Sequence, residues 1–155
     1  MKNSIVYLFL TLCCCIGCTP KPYLVESYVR PVTTSVSQSG VLYLEANGYH
    51  KRKTEAKQEA MRNALRAVIF DGVSNSSVKR PLVSEPGARS KYATYFDRFF
   101  AEGGRYADFV RVNQVDPTRT VRVGKGYQLA VQVEVNYLAL QRELQASGII
   151  ERFGI

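Results

Sequence analysis

The chain has no tryptophan and one histidine, and its four cysteines, Cys13, Cys14, Cys15 and Cys18, all lie near the N-terminus. A lone His50 excludes zinc sites built on two or three imidazoles and weakens any case for histidine-based acid–base catalysis. With no cysteine after Cys18, a chain cut before that residue can form neither an internal disulfide nor a thiolate metal site. No Gly-x-Ser-x-Gly elbow is present, and Gly124-Lys125-Gly126 lacks the spacing of a phosphate-binding loop. The carboxylates Glu85, Asp97, Glu102 and Asp108 are scattered and offer no clear acid–base pair. No segment after residue 16 is long and apolar enough to span a membrane. These gaps point away from an enzyme and leave no metal or dissociable cofactor expected.

What is present begins with an export signal. Lys2 gives a short positive n-region, and residues 5–16 form an almost unbroken apolar run, too short for a spanning helix. The run ends in Cys15-Ile16-Gly17-Cys18, which resembles the lipobox of bacterial lipoproteins. The resemblance implies cleavage between Gly17 and Cys18 and a diacylglyceryl group on the Cys18 thiol, and acyl chains there give firm anchoring. Thr19 follows the cysteine in place of an inner-membrane aspartate, so the expected address is the outer membrane. Lys21 precedes the first acid, Glu26, unlike the acidic cluster of surface-exported lipoproteins, so the periplasmic face is expected.

At 155 residues the chain has room for one folded domain after the leader. The formal net charge is +8, or +7 once Lys2 leaves with the leader. Such a balance favours anionic partners, whether lipid headgroups, cell-wall polymers or acidic protein faces. Nucleic acid is set aside, because an exported, tethered chain rarely meets it.

Residues 1–17 therefore read as leader, 18–40 as lipidated cysteine and flexible linker, and 41–155 as a single domain. The linker contains Pro20, Pro22 and Pro31, then a Thr/Ser-rich stretch. Residues 41–46 predict a strand ended by Asn47-Gly48. Thr54 is a plausible helix cap, and Ala56, Ala60, Met61, Ala64, Leu65, Val68 and Ile69 recur at helical spacing up to Gly72. The alanines of that helix permit close approach to a sheet. Residues 73–89 read as a long loop. A second helix is expected over 91–101, capped by Ser90, with Tyr92, Tyr95, Phe96, Phe99 and Phe100 as core. Strands are expected over 109–115 and 120–123. After the Gly124-Lys125-Gly126 turn comes the clearest strand, in which Tyr127, Leu129, Val131, Val133 and Val135 alternate with polar residues. A last helix carries Leu140 and Leu144 and ends near Gly148, before an apolar tail that includes Ile149, Ile150 and Phe153. The expected class is α+β, an antiparallel sheet of about four strands with helices on one face, in the order β-α-α-β-β-β-α.

The segments Ala46-Asn47-Gly48-Tyr49, Glu55-Ala56, Glu59-Ala60, Asn63-Ala64-Leu65 and Val131-Gln132-Val133-Glu134-Val135-Asn136-Tyr137 resemble small envelope lipoproteins that share a domain with the N-terminal part of a flagellar outer-ring assembly protein. The stretch 96–110 is similar to uncharacterised lipoproteins of the Bacteroidetes. The resemblance implies a tethered α+β domain acting as a structural or assembly part with envelope protein partners. It supplies no catalytic residues.

Two basic runs are candidate contacts for an anion or a partner. One is His50, Lys51, Arg52 and Lys53, at the start of the first long helix, where positive charge opposes the helix dipole. The other is Lys79, Arg80 and Arg89, in and at the end of the long loop.

Overall fold

The structure is a computed structural model that describes residues 27–151. Gly17, Cys18, the first part of the linker, and Arg152 and Phe153 of the tail lie outside the described residues.

Strand β1 (Val29–Pro31) pairs with β2 (Val41–His50), which leads into helix α1 (Lys53–Arg66) and a π-helical turn (Ala67–Asp71). Helices α2 (Ala88–Lys91) and α3 (Ala93–Phe99) follow the long loop. After them come β3 (Val110–Val115), β4 (Val121–Val123), β5 (Gly126–Asn136) and α4 (Tyr137–Ala146). The sheet is antiparallel, ordered β1-β2-β5-β3, with β4 also on β5. The class is the expected α+β.

The centre of the sheet is the β2–β5 pair, in register along its whole length from Val41↔Asn136 to His50↔Tyr127. Leu42, Leu44 and Ala46 face Val135, Val133 and Val131 across it, and all six are completely buried. Helix α1 covers this face with Ala56, Ala60 and Ala64. A Cβ at Gly48 would run into the Ala56 carbonyl and the Ala60 amide, so the helix backbone rests directly on the strand there. For this reason β2 does not stop at Asn47-Gly48. The glycine serves the helix contact, and the strand continues through it to His50.

Three further boundaries depart from the sequence reading. The segment expected as linker contains β1, whose three residues are too few and too proline-rich to announce a strand. Helix α1 starts after Arg52 with no side-chain cap, not at Thr54. The second helix starts at Ala88, after Gly87 at φ 78°, and breaks at Tyr92 into α2 and α3, with no cap from Ser90.

The loop from residue 73 to 87 has order of its own. At the π-turn the Gly72 amide reaches back to the Ala67 carbonyl, 2.7 Å. This shift leaves the carbonyls of Val68 and Ile69 open, and the loop amides of Leu82 and Val83 take them at 3.1 and 2.8 Å. Buried Ser76 closes the loop internally, donating to the Val73 carbonyl and accepting from the Val78 amide. Val73, Val78 and Val83 are thereby drawn into the core, which also takes in Phe96, Phe99, Leu140, Leu144 and Ile149.

Candidate functional site: a buried carboxylate clasp and an aromatic groove

The two basic runs do not form one patch. They flank opposite ends of the rod made by α1 and its π-turn, whose 14 and 5 residues span roughly 25–30 Å at helical rise. In the first run Glu55 meets two of the side chains, with His50 Nδ1 at 2.8 Å from one oxygen and the Arg52 guanidinium on the other. Placing Glu55 in the first turn also offsets the unfavourable charge at the helix start. Lys53 Nζ stands over the Tyr127 ring, 5.1 Å from its centre, and Lys51 points to solvent. In the second run Arg89 is committed to Asp71 at 2.9 Å and to the face of Phe70 at 4.3 Å. Lys79 and Arg80 are exposed and make no ion pair among the described residues.

Sequence reasoning missed a charged cluster on the sheet face turned away from α1. Glu45, on β2, is 7% exposed, although it lies on the open side of the sheet. Arg30 of β1 covers it, with Nη2 2.9 Å from one oxygen and 2.8 Å from the other. Arg119 donates from Nη1 at 2.5 Å and the Tyr28 hydroxyl at 3.0 Å, and Arg119 also donates to the Tyr28 hydroxyl at 2.7 Å. Burial pushes the Glu45 carboxyl up, but the hydrogen bonds from Arg30, Tyr28 and Arg119 outweigh it and hold the group below the ordinary glutamate value. Asn47 closes the same joint: the Tyr28 amide donates to its side-chain Oδ1 at 2.6 Å, and its own amide donates to the Tyr28 carbonyl at 3.3 Å. Tyr28 to Pro31 are thus clasped to the sheet at the start of the described residues. No local sequence signal points to this cluster, because its partners lie 15, 17 and 74 residues from Glu45.

The aromatic run behaves differently on its two sides. Phe96 and Phe99 are buried as expected, in edge-to-face contact with Phe70 (4.7 Å) and stacked on Phe109 (5.8 Å) respectively. Tyr92 and Tyr95 are only half-buried and, with Phe99, line a groove of about 520 Å³. Lys91, Arg98 and Arg105 edge this groove. Arg105 forks onto Glu143 of α4 at 2.7 and 3.0 Å, and the Tyr95 hydroxyl donates to the same carboxylate at 3.2 Å. Lys91 is held by Glu85 at 2.8 and 3.1 Å.

Among the described residues no group of three or more His, Cys, Asp or Glu side chains could hold a metal ion, and no helix is long and apolar enough to cross a membrane. Comparison of the chain with protein-family models, curated proteins and solved structures gives no match.

Proposed function

We propose that the chain is a non-catalytic lipoprotein of the outer membrane, tethered through a lipid on Cys18 and facing the periplasm. There it serves as a structural or assembly part of an envelope-spanning machine such as a secretion or motility apparatus. The observation that carries the reading is the clasp. The segment that follows the linker is joined to the central strand by β1 pairing, by two Tyr28–Asn47 hydrogen bonds, one of them to the Asn47 side chain, and by three donors on Glu45. A load arriving through the linker meets this joint before the hydrophobic core, which is what a tethered part needs and a freely diffusing one does not. Cross-linking of the full chain in intact envelopes, followed by purification, is expected to recover defined protein partners. Recovery of none under several cross-linking chemistries contradicts the reading.

Lys79, Arg80 and Lys51 favour a second reading, because they are exposed and without acidic partners among the described residues. They suit contact with an anionic cell-envelope polymer such as peptidoglycan or lipopolysaccharide. Co-sedimentation with purified cell wall that disappears as salt is raised supports this second reading, since exposed charge contacts are screened.

A further inference from the structure

The groove along α3 has an apolar floor and a rim whose charges are unequally committed. Tyr95 and Phe99 lie stacked, 5.7 Å apart at 18°, and form the floor with Tyr92 beside them. Of the three rim cations, Lys91 is occupied by Glu85 and Arg105 by Glu143. Arg98 is exposed and has no acid, hydrogen-bond acceptor or ring against it among the described residues. The site therefore presents one free guanidinium over an aromatic floor. Its volume, about 520 Å³, falls within the range of small-molecule sites.

The polarity of the walls narrows the occupant. The Tyr95 amide beside the groove is already used, donating to the Tyr92 carbonyl at 3.0 Å. The carboxylates Glu85 and Glu143 are already shared among Lys91, Arg105 and Tyr95. The uncharged acceptors along the groove are the hydroxyls of Tyr92, Thr94 and Tyr95, and its charged groups that are not already paired are donors. A peptide laid there would have only these three hydroxyls to meet its amide N–H groups, a cost that an acyl chain does not carry. An acceptor-only head, carboxylate or phosphate, matches a guanidinium that has donors to give.

We propose that this groove binds an anionic acyl lipid, its chain along Tyr92, Tyr95 and Phe99 and its acidic head on Arg98. The proposal does not depend on the tethered-part reading, since it concerns a site within the folded domain.

The test uses the full chain in phosphatidylcholine nanodiscs and a ten-carbon carboxylate bearing a photoreactive diazirine. Labelled peptides mapped by mass spectrometry are expected to contain Tyr92 or Tyr95. Decanoate and lysophosphatidylglycerol are expected to compete, one reporting a carboxylate head and the other a phosphate head, whereas decanol and lysophosphatidylcholine compete far less. Arg98→Gln is expected to weaken labelling about tenfold, the factor for losing one charge-assisted hydrogen bond, with an unchanged melting temperature. Arg142→Gln, an exposed arginine of α4 outside the groove, is expected to leave labelling intact. Labelling that ignores Arg98→Gln, or equal competition by decanol, overturns the proposal. So does a capped Phe-Asp peptide that competes as well as decanoate, which would assign the groove to a protein partner.

Discussion

The clasp at Glu45 and the lobe around α3 both gather arginines and tyrosines, yet they are built in opposite ways. In the clasp the charges converge on one another: two partly exposed guanidiniums and a phenol donate to one nearly buried carboxylate. In the lobe the rings make the core and the cations lie outside it. Arg89 stands over Phe70 and Arg66 over Phe100, at 4.3 and 5.2 Å, while Arg98 stays open. Charge concentrated on a buried acid fixes a joint, whereas charge spread around aromatic rings leaves a surface able to bind. The contrast predicts that substitutions in the clasp change stability and its pH dependence, while substitutions at the lobe rim change binding alone.

The largest expected effect comes from neither region but from the contact that both depend on. Gly48→Ala places a methyl group against the backbone of α1, where no side chain can move aside. It is expected to cost at least about 3 kcal/mol, or to prevent folding, as chemical denaturation of the purified variant would report. A variant within about 1 kcal/mol of the parent contradicts the direct seating of α1 on β2. Next is Phe96→Ala, which removes a ring touching Phe70, Tyr95 and Phe100. A loss of about 3–4 kcal/mol is expected from the cavity left behind. A loss under about 1 kcal/mol would mean that the lobe is not packed as described.

Glu45→Gln tests the clasp. It leaves Arg30 and Arg119 facing each other without their acid, and an expected cost of about 2 kcal/mol follows from the charged hydrogen bonds lost. The pH dependence sharpens this. Glu45 and Glu59 both titrate below the ordinary value of 4.5 in the folded chain; in each, burial raises the value and arginine hydrogen bonds lower it further. A group with a depressed folded value stabilises the fold above its unfolded value, and that contribution is lost as pH falls through the folded one. The melting temperature is therefore expected to hold steady down to about pH 5 and then to fall, and the fall is expected to be shallower in Glu45→Gln. Parallel curves for parent and variant would show that Glu45 is not the group responsible.

What was legible in the sequence was whatever repeats locally. The alternation through Val131, Val133 and Val135 and the alanine spacing of Ala56, Ala60 and Ala64 gave the sheet and the helix that lies on it, because burial imposes those periods on neighbouring residues. What depends on distant pairing was not legible. Asn47-Gly48 has the composition of a turn, and only the presence of α1 above it makes the glycine a strand residue. Glu45 has the pattern of a solvent-facing strand position; it is covered by Tyr28, Arg30 and Arg119, none of them near it in the chain. His50 to Lys53 have the pattern of a free basic patch, but Glu55 and Tyr127 had already claimed three of the four side chains. The groove was half legible: the aromatic spacing marked the core at Phe96 and Phe99, but the same spacing did not tell that Tyr92 and Tyr95 are only half-buried.

The most direct test of a domain tethered by lipid and joined at the clasp is to remove the lipid site and leave the clasp alone. Cys18→Ala in the full chain, followed by membrane fractionation with a salt wash and by thermal melting of the recovered protein, separates anchor from fold. The account predicts that the variant moves to the soluble fraction and melts at the temperature of the parent domain. A variant that still pellets with salt-washed membranes would contradict it.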